Sequence, residues 1–214
     1  MPRPVRVRRS ESGFTLVELS LAGFLCAIVL AAVALIFTSV SKGASDAGLR
    51  AELQTEAREI VTDLAAELRS AVSPAQGAMA IESLTANSLV FFSDRYPTAG
   101  PERFVYERTA CTGGYCQLRV RRYAANSASG PNWTFQTVPF NDTVLLERVA
   151  SASWLFAGRA WAGSPLQLTT VASCGGASKC TFSIVAVDLQ AAVPGVDSID
   201  GPYGIFVEVN LRNV

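Results

Sequence analysis

The sequence predicts an α+β protein: one long N-terminal α-helix, half transmembrane and half amphipathic, packed on a C-terminal antiparallel β-sheet head. Three patterns predict it. Residues 19–40 run for 22 positions without a charge. Residues 41–72 then repeat apolar side chains at steps of three or four. From Ser88 onward the period changes to two, in short segments divided by turn residues.

The chain opens with a basic stretch in which Arg3, Arg6, Arg8 and Arg9 stand against Glu11, a net +3. Positive charge stays cytoplasmic, which orients the bulk of the chain outward. Between Phe14 and Val40 the only charge is Glu18. At 1.5 Å per residue the uncharged run covers roughly 33 Å, enough to cross a bilayer core. A carboxylate within such a span costs about 2.5–3.5 kcal/mol, so it calls for a partner. A plain signal anchor would instead hold Glu18 at the interface with its head in water. A cleaved secretory signal would need a small-residue site after the apolar run, where a helical pattern continues.

Leu49, Leu53, Ala57, Ile60, Leu64 and Leu68 draw the apolar stripe of the second half. Arg50, Glu52, Glu56, Arg58, Glu59, Asp63, Glu67 and Arg69 are assigned to its polar face, and Pro74 stops the helix. Unbroken from Phe14 to Val72, this helix would measure roughly 88 Å. Gly43 and Gly48 are its weak points. Strands are predicted at 89–93, 103–108, 117–123, 133–138, 143–149, 153–156, 166–171, 181–189 and 205–212. They imply an enlarged sheet or two packed sheets. Residues 124–132 and 190–204 read as loops.

With 214 residues the chain has room for one anchor and a head of roughly 140 residues with a real core. Formal charge is zero, from 18 basic and 18 acidic residues; without the four leader arginines and Glu11, 14 basic residues face 17 acidic ones. That balance argues against a head that binds nucleic acid by bulk electrostatics. The chain has no histidine, which excludes Ser-His and Cys-His nucleophile pairs and histidine-ligated metals. No catalytic constellation and no cofactor or metal site is predicted. Cys26 lies within the span, where a thiol behaves as a small apolar residue. Cys111/Cys116 and Cys174/Cys180 form two close pairs, each bracketing glycines. Outside the cytoplasm disulfides are the natural assignment. More than one connectivity is open, and the local loops are favoured because glycine lets each segment turn back on itself. The four and five intervening residues suit a zinc knuckle poorly.

Within the head, Arg119, Arg121 and Arg122 form the densest basic cluster. Such a cluster either holds nucleic-acid phosphates or is the solvated face of a half-buried strand. Arg119 and Arg121 share one face, while Leu118, Val120 and Arg122 share the other. Asp197 and Asp200 beside Gly201-Pro202 read as an acidic turn, two carboxylates being few for calcium. Trp133, Trp154 and Trp161 read as core or sheet-face aromatics, with an adhesive patch as the alternative.

Gly13-Phe14-Thr15-Leu16-Val17-Glu18-Leu19 and the apolar run behind it resemble the processing and assembly signature of type IV pilins and type II secretion pseudopilins. The resemblance implies a leader at 1–13, cut by prepilin peptidase between Gly13 and Phe14, and N-methylation of Phe14. It makes Glu18 the assembly carboxylate that pairs with a neighbouring subunit's amino terminus. It further implies a filament-core helix at 14–40, an amphipathic continuation at 41–73 and an extracytoplasmic head at 74–214. Implied partners are the peptidase, other pilin or pseudopilin subunits, the inner-membrane assembly platform and the bilayer; DNA or a surface ligand would be additional. The long head looks most like a larger minor pilin or minor pseudopilin. Other readings are a DNA-uptake or adhesive tip subunit, or a single-pass protein that never polymerises.

Overall fold

A computed structural model describes residues 15–96, 99–126, 129–152, 154–162, 167–171, 173–175, 180, 182–192 and 203–211. The layout is α+β, one long N-terminal helix followed by a curled antiparallel sheet. The described chain falls into two compact units that part between Gly48 and Leu49. Helix α1 covers Leu16–Arg69 and is helical at both Gly43 and Gly48. A glycine there costs about 0.8–1.0 kcal/mol relative to alanine, and the alanine-rich neighbouring turns tolerate it.

In the first unit every described residue as far as Ser45 is exposed. Leu16 is 82% exposed and Phe37 73%. Among the described residues this stretch is the one helix long and apolar enough to cross a membrane.

In the second unit, Ala57, Val61, Leu64, Ala65 and Leu68 bury the stripe, with Leu53 and Ile60 partly covered. Leu49 remains 46% exposed, so the buried stripe begins a turn later than the sequence suggests. Glu67 overturns its assignment to the polar face: it is fully buried. The cause is a set of polar partners on the sheet. The hydroxyl of Tyr106 donates to Glu67 Oε2 at 2.6 Å, and Tyr96 and Arg122 donate to Oε1, each at 3.2 Å. A buried carboxylate without such partners would cost several kcal/mol.

The carbonyls orphaned at the end of α1 are satisfied by β2 and by Ser70. Ser93 Oγ donates to the Glu67 carbonyl at 3.0 Å, and Ser70 Oγ reaches the same oxygen. Beyond the helix, Val72 N–H donates to Phe92 C=O and Asp94 N–H to Ser70 C=O. The helix end is thus stitched to the end of β2 by backbone and side chain together.

The strands are β1 Ile81–Leu84, β2 Ser88–Ser93, β3 Glu102–Thr112, β4 Tyr115–Tyr123, β5 Asn141–Ala150, β6 Phe156–Ala162, β7 Gln167–Val171, β8 Cys174–Gly175, β9 Ile184–Ala191 and β10 Tyr203–Asn210. They form one sheet, ordered β7-β6-β9-β5-β4-β3-β2-β1-β8, with β10 along β9 and every pairing antiparallel. The inner face packs Phe91, Phe104, Leu118, Val120 and Val149 against α1. On the outer face Val90, Val105 and Tyr123 are covered by Phe135.

Two predicted strands change. Residues 133–138 are irregular, held by the isolated bridge between Ala125 and Phe135. Phe135 among them stacks on Phe92, 4.8 Å between ring centres. Residues 153–156 are replaced by β6, which begins where that segment ends. There, Leu155 N–H donates to Ala86 C=O at 2.8 Å and turns the chain. The short strands β1 and β8 lie outside the predicted set, and among the described residues β8 pairs with Ser83 and Leu84 of β1.

Candidate functional site

The segment singled out by the sequence is the start of α1. Gly13 and Phe14, the predicted cut and methylation site, lie outside the described residues, as do Arg3, Arg6, Arg8 and Arg9. Glu18 is described, and it has a partner that the sequence reading missed. Thr15 N–H donates to Glu18 Oε2 at 3.0 Å and Thr15 Oγ1 donates to the same oxygen at 2.9 Å. In return, Glu18 N–H donates to Thr15 Oγ1 at 3.2 Å. This is a reciprocal capping box, with Thr15 as the residue before the first turn and Glu18 three positions on. The signal was present as Thr-x-x-Glu ahead of an apolar run. An acid in the first helical turn also faces the positive end of the helix dipole.

Chemically, the first turn offers one exposed carboxylate whose second oxygen, Oε1, has no donor among the described residues. Around it Leu16, Val17, Leu19 and Leu21 are exposed. Keeping such side chains in water forgoes about 1.5–3 kcal/mol each. The surface therefore fits a bilayer or other apolar helices. Cys26 sits on it as an exposed free thiol.

In the head, Cys111–Cys116 and Cys174–Cys180 are disulfide-bonded. The first closes the β3–β4 hairpin, where Gly113 and Gly114 take φ of +60° and +83°. Both central positions of this two-residue turn need left-handed φ, which explains the Gly-Gly pair. The second ties β8, at the edge of the sheet, to the buried Cys180.

The three arginines of β4 divide between faces as the alternation requires. Arg119 Nη1 donates to both Asp142 oxygens at 2.9 and 3.0 Å, and Arg121 pairs with Glu107. Arg122 points inward to Glu67 and lies over the rings of Tyr96 and Phe104. Each guanidinium is matched by an acid, so the cluster does not form an unopposed phosphate site. Trp133 is half-buried against Gly100 and Gly130, where a Cβ would lie 2.7–2.8 Å from its ring. Trp154 meets Phe206 edge-on at 6.2 Å. The side chain of Trp161 lies outside the described residues, as do Asp197, Asp200, Gly201 and Pro202.

On the outer sheet face, Glu82, Arg103, Tyr123, Phe135, Gln136 and Thr137 line an open groove of about 450 Å³. Its one cation is already engaged: Arg103 donates to both oxygens of Glu82 at 2.6 and 3.0 Å. Comparison of the chain with protein-family models, curated proteins and solved structures gives no match.

Proposed function

We propose that this chain is a minor type IV pilin-like subunit, cut after Gly13, methylated at Phe14 and carried into a pilus or pseudopilus by α1. The observation that supports the reading is that the sequence Gly13–Leu19 runs into α1, a helix that begins at Leu16 and whose large apolar side chains from Leu16 to Val40 are exposed. Glu18, fifth from the proposed new terminus, offers its Oε1 to the amino group of the neighbouring subunit. Two opposite charges buried together offset each other's desolvation, whereas either alone is costly. The leader arginines hold the amino end in the cytoplasm and the disulfide-pinned head is displayed outside. The protein's work is assembly, and its partners are the peptidase, the assembly platform and other subunits.

A second reading is favoured by the capping box. Because Thr15 already satisfies one oxygen of Glu18 within the chain, a single-pass anchor that never polymerises could keep this acid at the membrane surface. Intact-mass measurement on membrane and sheared-filament fractions separates the two. A mature chain beginning at methylated Phe14, present in filaments, is the expected result. An uncut chain confined to the membrane overturns the proposal and leaves the anchor.

A further inference from the structure

The end of α1 is fastened to the sheet by a buried group of ionisable side chains that the filament reading does not use. Glu67 from α1 and Glu102 from β3 are both buried, 0% and 3% exposed. Tyr106 of β3 and Tyr96, just after β2, donate to Glu67, and Arg122 of β4 donates at 3.2 Å. Arg95 attracts Glu67 from the rim, where it is held by Asp63 at 3.4 Å. Glu102 feels the same guanidinium of Arg122 and the negative charge of Glu67. Among the described residues its Oε2 has no hydrogen-bond partner. Two buried carboxyl groups thus share the guanidinium of Arg122, with Arg95 farther out and engaged by Asp63. Ionising both leaves an uncompensated negative charge, which low-dielectric surroundings penalise heavily.

We infer that this cluster is a proton-linked latch: with a proton held among Glu67 and Glu102, the last turns of α1 stay clamped to the sheet, and loss of that proton loosens them. Burial pushes both carboxyls above the ordinary carboxylate range, beyond what the donors and Arg122 pull back. The sign follows from linkage. The closed state binds protons that the open state releases near the ordinary value of 4.5. Its stabilisation is complete below that value and is lost as pH rises through the raised values of the folded protein. The direction is opposite to ordinary acid denaturation, in which paired carboxylates lose their partners as pH falls.

The test is amide hydrogen exchange on the full chain in detergent micelles, at about pH 5 and about pH 8, corrected for intrinsic rates. Backbone amides of residues 57–69 should be better protected at the lower pH, by up to about tenfold per pH unit for each proton held. Glu67→Gln keeps the shape and removes the titration, so it should flatten this dependence; Glu102→Gln should reduce it. Equal protection of the wild-type protein at both pH values overturns the latch, as does a Glu67→Gln variant with unaltered pH dependence. Should that variant fail to fold, infrared spectra of the wild type decide. A protonated-carboxyl band that persists as pH rises above the ordinary value of 4.5, and that Glu102→Gln diminishes, supports the latch; a band lost at or below that value refutes it. The outcome is independent of whether the chain enters filaments.

Discussion

Tyr106→Phe isolates a single interaction at the helix-to-sheet junction. The substitution removes the hydroxyl that donates to Glu67 Oε2 at 2.6 Å and leaves the ring stacked near Phe91, 6.1 Å between centres. Tyr106 is 2% exposed, so no solvent can replace the lost donor cheaply. A hydrogen bond to a charged group contributes about 1.5–3 kcal/mol, and one to a neutral acid about 0.5–1.5 kcal/mol. For a folded unit of this size each kcal/mol moves Tm by about 2–4 °C. The expected fall is therefore about 3–12 °C where Glu67 is ionised and about 1–6 °C where it is protonated. Tryptophan fluorescence of the full chain in micelles is the assay, because Trp133, Trp154 and Trp161 all belong to the head unit. The loss should grow as pH rises above the ordinary carboxylate value of 4.5 and the carboxyl, held up by burial, gives up its proton. Tyr96→Phe should cost less, since that hydroxyl lies 3.2 Å away on a half-exposed side chain. An unchanged Tm for Tyr106→Phe, or a larger loss for Tyr96→Phe, would refute the claim that this contact holds the junction.

Glu18→Ala should leave membrane insertion intact and reduce filament incorporation, scored by fractionation; wild-type incorporation would remove the role proposed for this carboxylate. Thr15→Val should loosen the first turn of α1 by about 0.5–2 kcal/mol through loss of the cap, seen as faster amide exchange there. Gly158→Ala places a Cβ 2.5 Å from the Phe182 ring and should destabilise the head by about 1–3 kcal/mol in urea unfolding. Replacing Cys111 and Cys116 with serine opens a loop with a sequence separation of 5 and should cost about 2 kcal/mol in the same assay.

The helix, its two halves and most strands were legible because burial writes itself as period, whether 3.6 or two. Where side chains do something other than repeat, the pattern misleads. Phe135 sits in an alternating segment, yet it serves as a cover on the outer face of β2–β4, and its backbone gains only a single bridge. Leu49 fits the stripe but falls before the sheet begins to cover the helix. β8 is two residues long and is placed by a disulfide and a brief pairing with β1, constraints with no periodic signature.

Glu67 is the instructive case, because its burial was deducible from the opposite side of the core. Alternation along β4 puts Arg122 on the face of Leu118 and Val120, and a guanidinium directed into an apolar layer needs an anion there. The helix packed on that layer carries its last carboxylate at Glu67, one residue before Leu68 and three after Leu64. Arg122 and Glu67 each look like ordinary solvated charges when read along their own elements. Together they favour one register of α1 against β4, since sliding the helix would part them. The same reasoning separates the two acids on α1. Glu18 is exposed, satisfied by its own turn and able to accept one more donor, so it is suited to a partner outside the chain. Glu67 is enclosed and saturated by donors from the sheet, so a substitution there should act on the head's stability and its pH dependence before it touches assembly.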